Sequence, residues 1–171
     1  MAKLDSYLER KREAIAARQA DWTANPDSAL VTIKASSAVA GITGARPTRM
    51  GETVVISDSA PGLAGHALGP TAPEMLLGSL ASCLVHTYLI QAAMLHIPLD
   101  HVEVKVSGRL DYKPVLGMGE NPIPVMEDIR YAATVDSPAE AADIERIHAA
   151  VETACPVLNT IRQPVSVRRE A

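Results

Sequence analysis

The stretch MLLGSLASCLVHTYLIQAAML, running from Met75 to Leu95, carries no charged side chain and decides how the rest of the chain folds. A helix this long and apolar either crosses a bilayer or lies at the centre of a soluble core. Ser79, Ser82, His86, Thr87 and Gln91 interrupt it, and no Lys/Arg cluster flanks either end to set an orientation in a membrane. The reading is a core helix, with no membrane partner. Just upstream, Thr71-Ala72-Pro73-Glu74 places a hydroxyl at the N-cap and a carboxylate three residues on, the reciprocal pattern of a capping box. The helix stops near His96, ahead of Pro98.

Working outward, His101 to Ser107 and Ile129 to Val135 alternate apolar and polar residues at period two, which predicts antiparallel strands with one face on a core. Pro114 to Met126, with three prolines and two glycines, is the loop between them. Ser137-Pro138-Ala139-Glu140 repeats the capping box and predicts a helix through Ile144, Ile147, His148 and Val151, ending at Cys155-Pro156. Pro164 to Val167 reads as a short closing strand. On the N-terminal side, Ala29 to Ala40 and Arg49 to Ile56 read as strands, and the Pro/Gly-rich run from Ser57 to Gly69 as a loop feeding the long helix. His66 and Asp58 in that loop are candidates for a pocket rim or for simple solvation; His96 and His101 read as surface residues. Leu4 to Ala20 predicts an exposed helix for packing or dimer contact. The succession is α+β, organised as an N-terminal helical extension over residues 1–25 and one domain over residues 26–171.

The 171 residues are 47% hydrophobic, with 16 Lys+Arg against 20 Asp+Glu and a net charge of -4. That suffices for a real core without staples. One Trp, four Tyr and no Phe on a mildly acidic chain argue against a nucleic-acid partner, which needs a basic face and stacking rings. Met1-Ala2-Lys3-Leu4-Asp5 lacks the apolar segment of a secretory leader, so a cytoplasmic location is expected.

Cys83 and Cys155 are too few for a secreted disulfide framework and invite a redox or nucleophile reading. A thiol reacts as thiolate, and its ordinary pKa of about 8.5 must be lowered by a cation or a helix N-terminus to be useful at neutral pH. Cys83 lies mid-helix and needs a cation from elsewhere; Cys155, directly before Pro156, suits the N-cap of a short following turn. Inert packing competes for both, since unpaired Cys is often a small buried hydrophobe. A Cys/His hydrolase from Cys83 and His86, with Asn159 after Cys155, is a further alternative. A zinc site from Cys83, Cys155, His86 and His66 lacks any C-x-x-C or H-x-x-x-H pair, so no metal is expected.

Gly69-Pro-Thr-Ala-Pro-Glu-Met-Leu-Leu-Gly-Ser-Leu-Ala-Ser-Cys83, followed by Ala154-Cys-Pro-Val-Leu-Asn-Thr160, resembles the OsmC/Ohr family of thiol peroxidase-like proteins over roughly residues 31–167. The resemblance implies antiparallel sheets packed around a long central helix and a second helix, in an intertwined homodimer with sites at its interface. Gly78, Ser79, Ala81 and Ser82 offer a small-residue patch where a partner helix, or the chain's own sheet, can approach. The resemblance also implies reduction of organic hydroperoxides, alkyl or lipid, without a cofactor: Cys83 attacks, Cys155 resolves as a disulfide, and a dithiol reductant, lipoyl-type among the candidates, resets the pair. It implies an arginine holding the thiolate, Arg49 or Arg46 here, oriented by a glutamate, for which Glu74 is the candidate. Pro73-Glu74 stands one residue closer to the cysteine than in the best-characterised peroxidase branch, a rotation of about 100° on a helix, and capping alone explains Glu74. Leu76, Leu80, Ile90, Met94, Met118, Ile123, Val125 and Met126 are candidates for an apolar lining. The rival within the same fold is a non-catalytic protein that binds a small ligand or senses oxidants.

Overall fold

The computed structural model describes residues 2–120 and 123–170. The described residues form four α-helices and two small antiparallel sheets: α1 (Asp5–Ala24), β1 (Ala35–Ser37), β2 (Arg46–Met50), β3 (Thr53–Ser57), α2 (Ala72–Leu95), β4 (His101–Leu110), β5 (Met126–Asp136), α3 (Ala141–Ala154) and α4 (Pro156–Arg162). The chain divides into two compact units, one of residues 2–19 with 77–170 and one of residues 20–76.

The first unit holds the core. Val102, Val104 and Val106 of β4 stand opposite Val135, Ala133 and Tyr131 of β5, so the period-two side chains of both strands share one face. Onto the core go Leu80, Leu84, Tyr88, Ala92 and Ala93 of α2, Ile147 and Val151 of α3, Cys155, Leu158 of α4 and Leu8 of α1. The ladder shifts register between Ser107 and Arg109. At Gly108 a Cβ would stand 2.9 Å from the Met126 sulfur, so the missing side chain lets the bulge close. The N-terminal helix is tied in by backbone: Leu4 N–H donates to the Leu99 carbonyl at 2.9 Å and Lys3 N–H to Asp100 Oδ1 at 2.6 Å. Arg12 Nε donates to the Ala93 carbonyl at 3.1 Å, serving one of the orphan acceptors in the last turn of α2.

The second unit is a β1-β2-β3 meander followed by a wound loop. Arg49 to Ile56 is not one strand. Gly51 adopts a left-handed φ of 58° and the chain reverses there, so that Met50 pairs with Thr53 and Arg46 with Ser57. The expected strand from Ala29 shrinks to Ala35–Ser37: Ala35 stands opposite Met50, and residues before it would face the Gly51 reversal, where β2 has ended. Asp58, expected at a rim or in solvent, is buried instead. Its carboxylate accepts backbone N–H groups from Ser59 (2.8 Å), His66 (2.9 Å) and Leu68 (3.3 Å), which hold its pKa below the ordinary value. His66 itself is exposed, as are His96 and His101.

Two other expectations fail locally. The hydroxyl of Ser137 does not cap α3: it donates to the Pro98 carbonyl at 2.5 Å and accepts from Ala139 N–H at 3.0 Å. The helix therefore starts at Ala141 with Glu140 as N-cap, leaving Pro138 outside it. Residues 164–167 form no strand; Pro164 has no N–H to donate, and no strand partners them among the described residues. Asn121 and Pro122 of the β4–β5 loop lie outside the described residues.

Gly69 is a tight point of the wound loop, since a Cβ there would stand 1.9 Å from the Ile56 carbonyl oxygen, as one at Gly65 would from that of Ser59, whereas nothing lies within 4 Å of one at Gly62. Gly69→Ala is expected to lower stability by about 2 kcal/mol or more, and Gly62→Ala to stay within about 0.5 kcal/mol, in urea unfolding curves followed by circular dichroism.

Candidate active site

Cys83 occupies the middle of α2, on the edge of its buried stripe, and is partly buried. Cys155 lies in the break between α3 and α4. Its N–H still donates to the Val151 carbonyl at 2.9 Å as the last bond of α3, and its carbonyl receives Asn159 N–H at 3.0 Å as the first bond of α4. Pro156 takes the first helical position of α4, where its missing N–H costs nothing, so the first N–H the elbow can offer belongs to Val157. Core packing of Leu80, Leu84, Ile147, Val151 and Leu158 sets this elbow against α2. The two thiols, neither in a disulfide, thus share one neighbourhood, and the Val157 N–H and the Thr87 hydroxyl are among the groups that act on the Cys83 sulfur.

The electrostatics of Cys83 follow from those neighbours. Burial pushes its pKa up, and the adjoining Cys155 adds to this, while the Val157 amide and the Thr87 hydroxyl oppose it; the net shift is upward. None of these groups is a cation. His86, one turn along α2, is largely exposed and is not among the groups acting on the Cys83 sulfur; partial desolvation, then the charge of Lys11 on α1, hold its own pKa down. Asn159 donates its side-chain amide to the Thr153 carbonyl at 2.9 Å, bracing the elbow. A hydrolytic Cys–His arrangement is therefore not assembled here. Among the described residues, no cluster of three or more His, Cys, Asp or Glu side chains is suited to a metal ion.

The elbow is braced from its outer side as well. Glu152 accepts from Tyr131 Oη at 2.7 Å and from Arg162 at 3.3 Å, linking β5, α3 and α4, and the Tyr131 bond is the main cause of its lowered pKa. Beneath it Tyr88 Oη and His148 Nδ1 share a 2.5 Å hydrogen bond, and burial pushes Tyr88 up to about 12.

The remaining candidates belong to the second unit. Arg46 and Arg49 are both on β2; Arg46 donates to the Gly44 carbonyl at 2.6 Å, and Arg49 is exposed opposite Ser36 and Val54. Glu74 forms the capping box expected of it. Its Oε2 accepts from Thr71 N–H and from Thr71 Oγ1, each at 2.7 Å, and its N–H reaches Thr71 Oγ1 at 3.4 Å. These bonds hold its pKa below the ordinary value. A cavity of about 490 Å³ lies beside it, lined by Ser59, Ala60, Ala67, Gly69, Pro70 and Thr71. Of the proposed apolar lining, Leu80 is core, while Leu76, Met94, Met118, Ile123 and Val125 are exposed.

Two participants escaped the sequence reading: the Val157 amide and Thr87. Both had a local signal, the proline at the first position after Cys155 and the four-residue spacing from Cys83.

A family model described as OsmC-like protein matches residues 65–170. No curated protein matches the chain. Among solved structures, an OsmC-like protein from Mycoplasma pneumoniae superposes with a TM-score of 0.65 at 19% identity, covering 77% of this chain and 88% of that one. An organic hydroperoxide resistance protein from Legionella pneumophila gives 0.59 at 19% identity, covering 78% and 90%. One from Elizabethkingia anophelis gives 0.58 at 18%, covering 78% and 89%. These likenesses establish the fold: the four helices and two small sheets are an OsmC-like arrangement.

Glu74 supplies a pH test of the cap. A carboxylate whose folded pKa is depressed contributes stability that is complete above its unfolded value, near 4.5, and is lost as pH falls through the folded value. Glu74→Gln is expected to melt below wild type at pH 7, with the gap closing as both are titrated below 4.5 in thermal scans.

Proposed function

Because this chain belongs to the OsmC-like protein family, we propose that it is a thiol peroxidase reducing organic hydroperoxides, with Cys83 attacking and Cys155 resolving. The observation that carries this reading is the apposition of two reduced thiols of unequal exposure, Cys83 partly accessible and Cys155 buried behind it. The descriptions of the Legionella and Elizabethkingia proteins point the same way.

In the reaction the Cys83 thiolate attacks one peroxide oxygen. An S–O bond forms, the O–O bond breaks, and the alkoxide takes up a proton and leaves as alcohol, so the sulfur is oxidised to sulfenic acid as the peroxide is reduced. Cys155 then gives up its proton and attacks that sulfur, forming the disulfide and expelling water. A dithiol reductant, lipoyl-type among the candidates, restores both thiols by exchange and leaves as its own disulfide.

The thiol's immediate neighbours favour its protonated form, so turnover requires a cation. Arg49 or Arg46 is assigned that role, lowering the Cys83 pKa and stabilising charge on the departing oxygen. Both Thr71 bonds to Glu74 use Oε2, which makes capping compatible with a guanidinium held through Oε1. A homodimer is part of the proposal. Leu30, Val31, Ile33, Val39 and Ile42 of the second unit are largely exposed, Leu30 and Ile33 at 89% each, and the outer face of α2 presents Leu76, Gly78 and Ser82 to solvent; a second copy would cover such surfaces. The upward push on Cys83 also favours one rival, an oxidant sensor whose thiols react without sustained turnover.

With cumene hydroperoxide and a dithiol, wild type is expected to consume peroxide, Cys83→Ser to be inactive, and oxidised wild type to lose about 2 Da as a disulfide that Cys155→Ser cannot form. Alanine at the acting arginine should slow turnover by about 100-fold. A wild type that oxidises once and never turns over leaves the sensor. Sedimentation is expected to give a dimer. Gly78→Ala, which would strengthen an exposed helix by about 1 kcal/mol, should instead weaken association where a partner helix seats closely.

A further inference from the structure

Thr87 stands one helical turn after Cys83 on α2, and its side chain is 3% exposed. Its Oγ1 donates to the Cys83 carbonyl at 2.8 Å, which sets the hydroxyl beside Cys83, and the same hydroxyl is among the groups that act on the sulfur. That carbonyl, in mid-helix, already accepts the backbone N–H four residues on. The hydroxyl bond to it is therefore surplus, and no buried acceptor is orphaned if the proton turns away. Residues four apart share a helix face, which puts the Cys83 side chain on the hydroxyl's side of α2 as the competing acceptor. The two acceptors compete for one hydrogen, and their ranking depends on charge: a neutral thiol is a weak acceptor and loses to the carbonyl, whereas a thiolate gains a charge-assisted bond and wins.

From this geometry we infer that Thr87 is a switchable donor to the reacting sulfur, bonding the Cys83 carbonyl while the thiol is protonated and the sulfur once it is ionised. With the Val157 N–H it completes a two-donor cradle for the thiolate, built from neutral groups of the first unit alone. The direction in which this hydroxyl acts on the Cys83 pKa, downward against burial, agrees with that role. Thr87 holds the thiolate in addition to any arginine. The inference rests on the reading of Cys83 as the attacking thiol, but ionisation can be read without turnover.

The test is site-resolved alkylation of Cys83 by iodoacetamide in the reduced full-length protein, from pH 6 to 10, by mass spectrometry. Thr87→Val keeps the shape and removes the hydroxyl; it is expected to slow Cys83 alkylation about tenfold at neutral pH and to raise the profile's midpoint by about one unit, with Thr87→Ser restoring both. Should the valine variant not fold, Thr87→Ala carries the same comparison. A midpoint unmoved by losing the hydroxyl, or a serine variant that follows valine, overturns the inference, because a bond serving only the helix backbone would change melting and leave the thiol's titration alone. A shifted midpoint in a protein that never consumes peroxide upholds Thr87's role and removes the peroxidase reading. Normal turnover with an unmoved midpoint does the reverse.

Discussion

The elbow between α3 and α4 is held against the middle of α2, and the candidate chemistry depends on that contact. It is not maintained by a bond between the thiols but by the hydrophobic packing around them: Leu80 one turn before Cys83 and Leu84 next to it on α2, Val151 one turn before Cys155, Leu158 one turn after. Each of these side chains is almost wholly buried, and burying one such group is worth about 1.5–3 kcal/mol. Several together fix the position of a backbone break that would otherwise be a weak point. Proline at the start of α4 ends α3 without leaving an unsatisfied donor, and the Asn159, Glu152 and Arg162 bonds close the outer side.

That arrangement explains why two sulfurs in one place differ in character. Cys155 sits inside the packed layer, whereas Cys83 is at the margin of the helix stripe and is partly exposed. Burial disfavours the charged form of Cys83, and the second amide of α4 and the surplus hydroxyl of Thr87 oppose it. Unequal accessibility is what a two-thiol cycle needs, since a resolving thiol open to solvent would itself be exposed to oxidation.

How much of this was legible depended on whether the deciding interaction was local. The Thr71–Glu74 cap, the stop before Pro98 and the period-two strands at Val102 and Tyr131 are set by neighbours within a few residues, and they read correctly. The same four-residue pattern at Ser137 misled because its hydroxyl goes to Pro98, across the fold. Residues 29–34 have the composition of a strand, and no strand pairs with them among the described residues. Gly51 hides a reversal inside an apolar run, and Asp58 looks solvated until three amides from a loop wound around it are counted. The meeting of Cys83 with Cys155 follows from no spacing in the chain; it entered as an implication of family resemblance. Thr87 was readable from helix geometry, and was passed over as one more polar residue on an apolar helix.

Within the first unit, the balance at Cys83 is set by opposing effects of unequal reach. Desolvation penalises charge wherever the sulfur is covered, and a neighbouring thiol makes a second negative charge costlier still. Two neutral donors offset part of this, because each supplies a fixed dipole without bringing a charge that must itself be buried. They do not reverse the sign. In the proposed cycle a guanidinium beside the sulfur would supply what these neutral donors lack, a full positive charge. If the arginine on β2 is the missing charge, the surfaces that bring it to the sulfur are part of the catalytic apparatus as much as the sulfur is.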